Sequence, residues 1–325
     1  LDGLSFSELS RAVSRLSPDD QRGLMTLIPA TEAADLMERL HEVVAVDLIE
    51  ELSPTQAAAI VEEMESDHRA DLLGEMDAQD AEAILDEMAP EEAHEARQLM
   101  VYPEDTAGGL MVTEFLKFPS DLKVMDVLND IREHADEYSD YSVQYAYILS
   151  GTGKLIGVLR LRDLILAPGD APITSVMIAN PVYVYVDTPL HELDSFFNRY
   201  PFVAVPVIKH TGELVGVVRR ADAEEALSER AEQTLMRFGG IIGGEELRSM
   251  PLKLRAYRRT TWLGVNLVLS LLAASVIRSF HSTIETAIAV VFFMPVIANM
   301  SGCSGNQAVA VSIRELALGL IEPRD

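Results

Sequence analysis

A repeat of twelve residues organises the first third of the chain. Its apolar anchors are Leu16, Ile28, Leu40, Leu52, Met64, Met76 and Met88. Some anchors lead into a Pro, as in Ser53-Pro54, and Pro is favoured in the first turn of a helix. An apolar pair follows eight and nine positions after each anchor, as in Leu36-Met37. Each unit therefore predicts one short helix. Such helices bury their apolar faces only by stacking, which predicts an all-helical superhelical domain over residues 1–110.

Acidic residues are concentrated in this repeat. The chain has a formal net charge of -26, and residues 1–100 carry 25 carboxylates against 6 arginines and no lysine. Such a field attracts cations and disfavours nucleic acid as a partner. Carboxylates spaced three or four positions apart share a helix face and are candidate Mg²⁺ ligands. They are Asp67, Asp71, Asp77, Asp80 and Asp86. A solvated acidic surface explains any one of them equally well.

Two copies of a mixed pattern follow the repeat. Residues 153–159 are matched 59 positions later by residues 212–218, and Asp163 is matched by Asp222. A helix is predicted at residues 124–134, with strands at 144–149 and 155–159. Each copy therefore predicts a β-α-β-β-α unit, over residues 111–170 and 171–230, and two such units bury their sheets face to face. The glycine between the last two strands supplies the positive φ of a tight hairpin.

Two uncharged runs near the end predict membrane helices. Residues 260–277 and 286–313 hold 18 and 28 positions without charge, and about 20 apolar residues cross a bilayer. A basic cluster at residues 253–259 precedes them, and basic residues stay cytoplasmic. We therefore predict that residues 1–259 are cytoplasmic, with a connecting helix over 231–259 and the first two transmembrane helices over 260–325. Polar side chains in the second run are expected to line a water-filled path. The pore-lining candidates are Asn299, Asn306 and Gln307.

The sequence does not predict an enzyme. Its 7 histidines show no metal-ligand cluster, no Walker-type phosphate loop is present, and the single cysteine, Cys303, excludes an internal disulfide. The chain begins at Leu1 and ends at Asp325, soon after the second uncharged run. Because two helices hardly enclose a pore, the remaining spans are expected after residue 325 or from other chains.

Several motifs together resemble the MgtE family of magnesium channels and transporters. Besides the acidic repeat and the paired copies, which resemble cystathionine-β-synthase (CBS) domains, they are YPEDTAGGLM at 102–111, Phe238-Gly239-Gly240, WLGVNL at 262–267, Met294-Pro295 and Gly305-Asn306-Gln307. The resemblance implies a homodimer in the inner (plasma) membrane with five membrane helices per subunit. Mg²⁺ would be both the transported ion and a regulatory ion that draws the cytoplasmic domains together and closes the pore. The acidic residue that defines the pore in the family is expected beyond residue 325.

Departures from the family pattern bear on the regulatory ion. Acids remain at Asp222, Glu225 and Glu229. Other positions where the family tends to be acidic hold Pro189, His191, Pro201, Ala221, Arg230, Gln233 and Thr234. These substitutions predict a weakened or rearranged Mg²⁺ sensor. Arg219, Arg220 and Arg230 are expected to form salt bridges to the acidic repeat in place of metal.

Other ligands and functions stay open. By analogy with other CBS pairs, Asp163 or Asp222 binds the ribose of an adenine nucleotide such as ATP, or else only caps its helix. The chain is alternatively a shortened regulatory subunit that binds ions or nucleotide and assembles with a full-length partner. A third alternative is a transporter of another divalent cation such as Co²⁺.

Overall fold

The computed structural model describes residues 12–13, 16–40, 42–136, 138, 141, 144–238, 252–286 and 289–317. The chain divides into two compact units, Leu1–Ala226 and Leu227–Asp325, and each is described by itself.

The acidic repeat folds into one short helix per unit. The helices are α1 (Pro18–Leu27), α2 (Ala30–Glu38), α3 (Glu42–Glu50), α4 (Pro54–Val61), α5 (Ser66–Glu75), α6 (Ala78–Leu85) and α7 (Pro90–Leu99). Each packs on the next but one, α1 on α3, α2 on α4, and so on to α5 on α7. The anchors from Leu40 to Met88 are buried, whereas Leu16 is 39% exposed. The predicted helical repeat is confirmed, because its period marks the residues that each helix buries.

Both copies adopt the predicted β-α-β-β-α order. The first contains β1 (Leu116–Pro119), α8 (Val124–Glu133), β2 (Tyr145–Leu149), β3 (Leu155–Arg160) and α9 (Leu161–Leu166). The chain continues through α10 (Ile173–Val176) to the short strand β4 (Ile178–Ala179), which pairs with β3 at the edge of the first sheet. The second contains β5 (Val184–Tyr185), α11 (Leu190–Arg199), β6 (Ala204–Ile208), β7 (Leu214–Arg219) and α12 (Arg220–Phe238). In each copy the first strand is parallel to the second, which forms an antiparallel hairpin with the third.

The two sheets pack through one shared apolar cluster. Tyr147 and Val158 of the first sheet lie in it with Ile208 and Val217 of the second. The hairpin turns contain Gly153 at φ 75° and Gly212 at φ 86°, as predicted. The turns also meet, since Lys154 and Glu213 form an antiparallel bridge.

The segment that leaves the helical repeat lies on the second copy. The Ala107 N–H donates to the Thr188 carbonyl at 2.7 Å, and Val112 exchanges two 2.9 Å backbone hydrogen bonds with Val217. A Cβ at Gly108 would lie 2.7 Å from the Tyr102 ring. The YPEDTAGGLM motif therefore needs glycine for a close approach that ties the repeat to the second copy.

The second unit contains α13 (Leu252–Ser279), α14 (His281–Thr286) and α15 (Ala289–Ala317). The two uncharged runs fall within or beside α13 and α15, and Pro295 lies inside α15. Over the described ranges no helix combines the length and the apolar character that a membrane crossing requires. The two predicted transmembrane helices are therefore not confirmed. Residues 239–251, with both glycine pairs of the predicted connecting helix, lie outside the described residues.

Candidate functional site

The first turn of α5 forms one side of the site. Its opening residues read Glu65-Ser66-Asp67-His68-Arg69, and Ser66, Asp67 and Arg69 are buried. The backbone N–H groups at a helix start have no partner within the helix, so acceptors from elsewhere must satisfy them. The Glu65 N–H donates to Glu38 Oε1 at 2.8 Å. The Ser66 N–H donates to Glu114 Oε1 at 3.1 Å.

Glu114 belongs to the segment between the repeat and the first copy. Its Oε2 accepts a 2.7 Å hydrogen bond from the hydroxyl of Ser66, which is fully buried. The Ser66 hydroxyl in turn accepts from the Thr113 N–H at 2.9 Å. Side-chain and backbone bonds thus hold the start of α5 against the chain that enters the first copy.

Arg219 forms the other side of the site. It is the last residue of β7, and its guanidinium donates to both oxygens of Glu65, from Nη1 at 2.7 Å and from Nη2 at 2.6 Å. Its Nε donates to Asp222 Oδ2 at 2.6 Å, and Nη2 lies 3.7 Å from Asp67 Oδ2. Bidentate arginine–carboxylate pairs are among the stronger charge-assisted hydrogen bonds. The helical repeat and the second copy are therefore joined by one guanidinium that faces three carboxylates.

Burial and charge shift the pKa values of these groups in opposite directions. Burial, strengthened by the Asp222 charge, raises the pKa of Asp67 to about 6, although His68 and Arg219 lower it. Burial would raise the pKa of Glu65 as well, but its hydrogen bonds and charge contact with Arg219 leave it below the usual value. Burial raises the pKa of Asp222 more than Arg219 lowers it. Partial burial lowers the pKa of His68, but the surrounding carboxylates, led by Asp67, leave it raised. The site thus concentrates acids whose charge Arg219 only partly offsets.

Two of the predicted Mg²⁺ ligands meet here. Asp67 and Asp222 both face Arg219, and Asp71 is near enough for its charge to raise the pKa of His68. The other repeat candidates lie elsewhere. Asp77 and Asp80 are exposed near Glu50. Burial is the main cause that raises the pKa of Glu50, and the charges of Asp80 and Asp77 add to the shift. The exposed Asp86 lies 3.4 Å from Arg97. Glu225 and Glu229 are exposed on α12.

The remaining candidates are also separate from this site. Asp163 lies in the first copy, 3.3 Å from Nε of its neighbour Arg162. Asn299, Asn306 and Gln307 are exposed on α15, in the second unit. Their assignment as nucleotide or pore residues stays a prediction.

The expected salt bridge to the acidic repeat is confirmed for Arg219 and wrong for Arg220. Arg220 instead donates from Nε to the Phe202 carbonyl at 2.9 Å and from Nη2 to the Tyr200 carbonyl at 2.6 Å. It therefore fixes the connection between α11 and β6. Arg230 is exposed on α12, and its bridge stays a prediction.

Sequence spacing missed several residues of the site. Glu65 and His68 join the predicted Asp67, and the three offer ligand atoms that all lie within 4.8 Å of one another. The expectation that no histidine belongs to a candidate metal-ligand cluster is therefore wrong for His68. The signal was the pattern Glu-x-Asp-His at a helix start. Glu38 and Glu114 left no such signal, since they lie 27 and 48 positions from their partners in the chain.

The helical repeat and the paired copies match known protein families. Residues 4–105 match the MgtE intracellular N domain, and residues 107–170 and 173–229 each match a CBS domain. The magnesium transporter MgtE of Thermus thermophilus is 31% identical over 232 residues, which are 71% of this chain and 51% of that protein. The magnesium transporter MgtE of Bacillus subtilis is 29% identical over 70% of this chain and 49% of that protein. The chain thus spans about half the length of these relatives.

Solved structures share the fold of the helical repeat and the paired copies, and two of them show the extent of the similarity. A crystal structure of the cytosolic domain of the Mg²⁺ channel MgtE in complex with ATP matches with a TM-score of 0.63 and 29% identity, over 69% of this chain and 91% of that one. A crystal structure of the soluble part of a magnesium transporter also matches at a TM-score of 0.63, with 27% identity, over 70% of this chain and 90% of that one. The N domain and tandem CBS pair therefore have the architecture of an MgtE cytosolic domain.

Proposed function

The chain belongs to the MgtE family, and from this premise we propose that it takes part in moving Mg²⁺ across a membrane. The proposed assembly is a homodimeric channel in the plasma membrane, with the N domain and CBS pair on its cytoplasmic side. Mg²⁺ is both the transported ion and the ion to which these domains respond. The curated relatives are named as transporters, and the activity proposed here makes or breaks no covalent bond.

The convergence of carboxylates from the N domain and the second CBS copy carries this proposal. Asp67 comes from one side and Asp222 from the other, and each lies within 4 Å of the same guanidinium. A cation held within such a cluster stabilises the docked arrangement over the separated one. A joint between domains that a cation stabilises suits the gate of a cation channel.

Sensing of Mg²⁺ at this joint is proposed to be weak. Mg²⁺ needs several oxygen ligands in near-octahedral geometry. Arg219 already bonds both oxygens of Glu65 and one of Asp222. The exposed acids of α6, α7 and α12 are left as sites of low affinity. They include Asp77, Asp80, Asp86, Glu225 and Glu229.

Ion flux tests the transport proposal. Proteoliposomes that contain the full-length protein should take up Mg²⁺, reported by an enclosed dye, faster than empty vesicles do. Replacing Asn306 or Gln307 with Ala should slow the uptake, whereas Asn129→Ala, on the exposed face of α8, should leave it unchanged. Absence of uptake contradicts the proposal. Uptake of Co²⁺ against which Mg²⁺ does not compete supports the alternative divalent cation.

Nucleotide binding by the CBS pair is a second candidate function. The observation that favours it is the ATP bound to the cytosolic domain of the structural relative. Carboxylates accept hydrogen bonds from ribose hydroxyls. Because Arg219 already bonds Asp222, we propose that Asp163 is the residue that binds the ribose.

Calorimetric titration with ATP tests the nucleotide proposal. Binding should disappear in Asp163→Ala and persist in Asp222→Ala; the reverse pattern assigns the nucleotide to the second copy. A protein that binds ATP but passes no ion fits the alternative of a regulatory subunit.

A further inference from the structure

Arg219 fills the centre of the carboxylate cluster with a cation that belongs to the chain itself. We propose that this guanidinium, rather than a bound divalent ion, holds the N domain on the second CBS copy, so that the two stay docked without Mg²⁺. The proposal rests on the proposed function in one respect only. If the protein is a gated channel, the closed arrangement of its gate does not need Mg²⁺. The ionic contact itself is made by Glu65, Arg219 and Asp222, beside the backbone hydrogen bonds that also tie residues 107–112 to the second copy.

The geometry of the pair favours arginine over a metal ion. Both carboxylate oxygens of Glu65 accept hydrogen bonds from Arg219, at 2.7 and 2.6 Å. Oxygens that coordinate Mg²⁺ lie about 2.0–2.1 Å from the ion in an octahedral arrangement. An incoming Mg²⁺ would first have to break two parallel charge-assisted hydrogen bonds, and it would also pay for its own dehydration.

The guanidinium is a permanent occupant. Arginine keeps its proton in proteins and presents its donors in a rigid fork. The hydrogen bonds to Glu65 and Asp222 raise the pKa of Arg219 further still. Because the cation is tethered to β7, chelation or dilution cannot remove it. The next residue, Arg220, donates to three backbone carbonyls and so fixes the chain from which Arg219 projects.

The acceptor, the Glu65 carboxylate, is also held in place by its own neighbours. The Glu65 N–H is bonded to Glu38, and the neighbouring Ser66 is bonded to Glu114. Glu65 therefore presents its carboxylate from a fixed helix start. Its lowered pKa keeps the carboxylate charged at neutral pH.

The first CBS copy provides an internal comparison. Arg160 ends β3 as Arg219 ends β7, 59 positions apart, but Arg160 is exposed. Within the described part of the chain, the structure gives Arg160 no carboxylate partner. The position at the strand end therefore does not by itself give an arginine a carboxylate partner. In the copy that meets the N domain, the arginine has one.

A distance measurement between the two domains tests the proposal. The full chain, with Cys303→Ser, would carry spin labels at Glu91→Cys on α7 and Glu192→Cys on α11, both of which are exposed. Electron–electron resonance then gives the distance distribution in excess chelator and in saturating Mg²⁺. We expect the same short distance in both. This arm needs no change at the site, so undocking in chelator overturns the proposal directly.

Substitutions assign the docking to the guanidinium. In chelator, Arg219→Gln should lower the ratio of docked to undocked molecules by about tenfold or more, since it removes a bidentate charged pair. Its matched control, Arg160→Gln, should leave the ratio unchanged. The double variant Glu65→Arg with Arg219→Glu should recover docking, which separates loss of the pair from a general folding defect. Docking that survives in Arg219→Gln overturns the proposal.

The outcomes also separate this proposal from the proposed function. Docking in chelator without Mg²⁺ flux contradicts the transport function alone. Undocking in chelator with normal Mg²⁺ flux contradicts only the proposal that Arg219 holds the two domains together.

Discussion

The two CBS copies share the order of their elements and the register of their hairpins but differ in the surroundings of one corresponding arginine. The hairpin registers correspond, with Ala146 opposite Leu159 in the first copy and Val205 opposite Val218 in the second. At the strand ends the copies diverge. Arg160 is exposed, whereas the Arg219 side chain is only 21% exposed and bonds Glu65 of another domain. The difference shows that the repeated unit fixes the backbone position of the arginine, whereas the neighbouring domain determines which groups its side chain bonds.

The same divergence separates the paired aspartates. The Asp163 side chain is 31% exposed and lies beside Arg162, which is itself largely in solvent. The Asp222 side chain is 17% exposed and accepts a 2.6 Å bond from Arg219. Exposed ion pairs contribute roughly 0–1 kcal/mol, but loss of one partner from a buried pair leaves an uncompensated charge. The two copies should therefore respond very differently to matched substitutions.

The largest difference is expected for the arginines themselves. Arg219→Ala should lower the free energy of unfolding by about 3 kcal/mol, because Glu65 and Asp222 would stay partly buried without their cation. Arg160→Ala should change it by less than about 0.5 kcal/mol, as exposed substitutions usually do. Urea denaturation in chelator measures both. Equal losses in the two variants would mean that the N domain contact contributes nothing to stability.

Asp67 should give the next largest effect, and the effect should depend on pH. Its pKa is about 6 in the folded protein against 3.8 in the unfolded chain, so folding disfavours the charged form. The resulting cost is fully present above about pH 6 and fades as the pH falls towards about 4. Asp67→Asn should therefore raise the free energy of unfolding by about 2 kcal/mol at neutral pH and hardly change it below about pH 4.

The control for this prediction comes from the first copy. Asp163→Asn, outside the docked surface, should shift the free energy of unfolding by less than about 0.5 kcal/mol at either pH. Chelator in all samples removes any contribution from metal. A stabilisation by Asp67→Asn that persisted unchanged in acid would exclude the buried carboxylate as its source.

Sequence spacing was sufficient to predict the helices and strands but not the contact between the helical repeat and the second copy. The twelve-residue period predicted the helices of the repeat because it reports which side chains each helix buries. It could not separate Asp67 from Asp77, since both are acids near a helix start and only docking buries the first. Glu65 and Arg219 lie 154 positions apart in the chain, so no local pattern links them. Arg219 and Arg220 are adjacent and read alike, yet the strand end directs one to Glu65 and the other to backbone carbonyls.

A smaller effect is expected where the N domain meets the entry to the first copy. Ser66→Ala removes a fully buried hydroxyl that bonds Glu114 and Thr113. It should cost about 1.5 kcal/mol, because these groups lose a partner away from bulk water. Ser175→Ala, on α10, removes an exposed hydroxyl bonded to the Pro172 carbonyl and should cost only a few tenths of a kcal/mol. Denaturant unfolding of the pair checks the difference, and equal costs would argue that the Ser66–Glu114 contact is weak.

The smallest difference is expected at the hairpin turns, where the copies are equivalent. Gly153 and Gly212 both have positive φ, at 75° and 86°, so alanine at either position should cost about 1 kcal/mol through backbone strain. A new Cβ would meet nothing within 4 Å at Gly153 and only Lys154, at 3.6 Å, at Gly212, so side-chain crowding adds little in either case. The two losses should agree within about 0.5 kcal/mol, since distant sites of like geometry respond alike. A much larger loss of unfolding free energy at Gly212 would mean that docking of the N domain also stabilises the hairpin turn before β7. The difference between the copies would then extend beyond the strand end at Arg219.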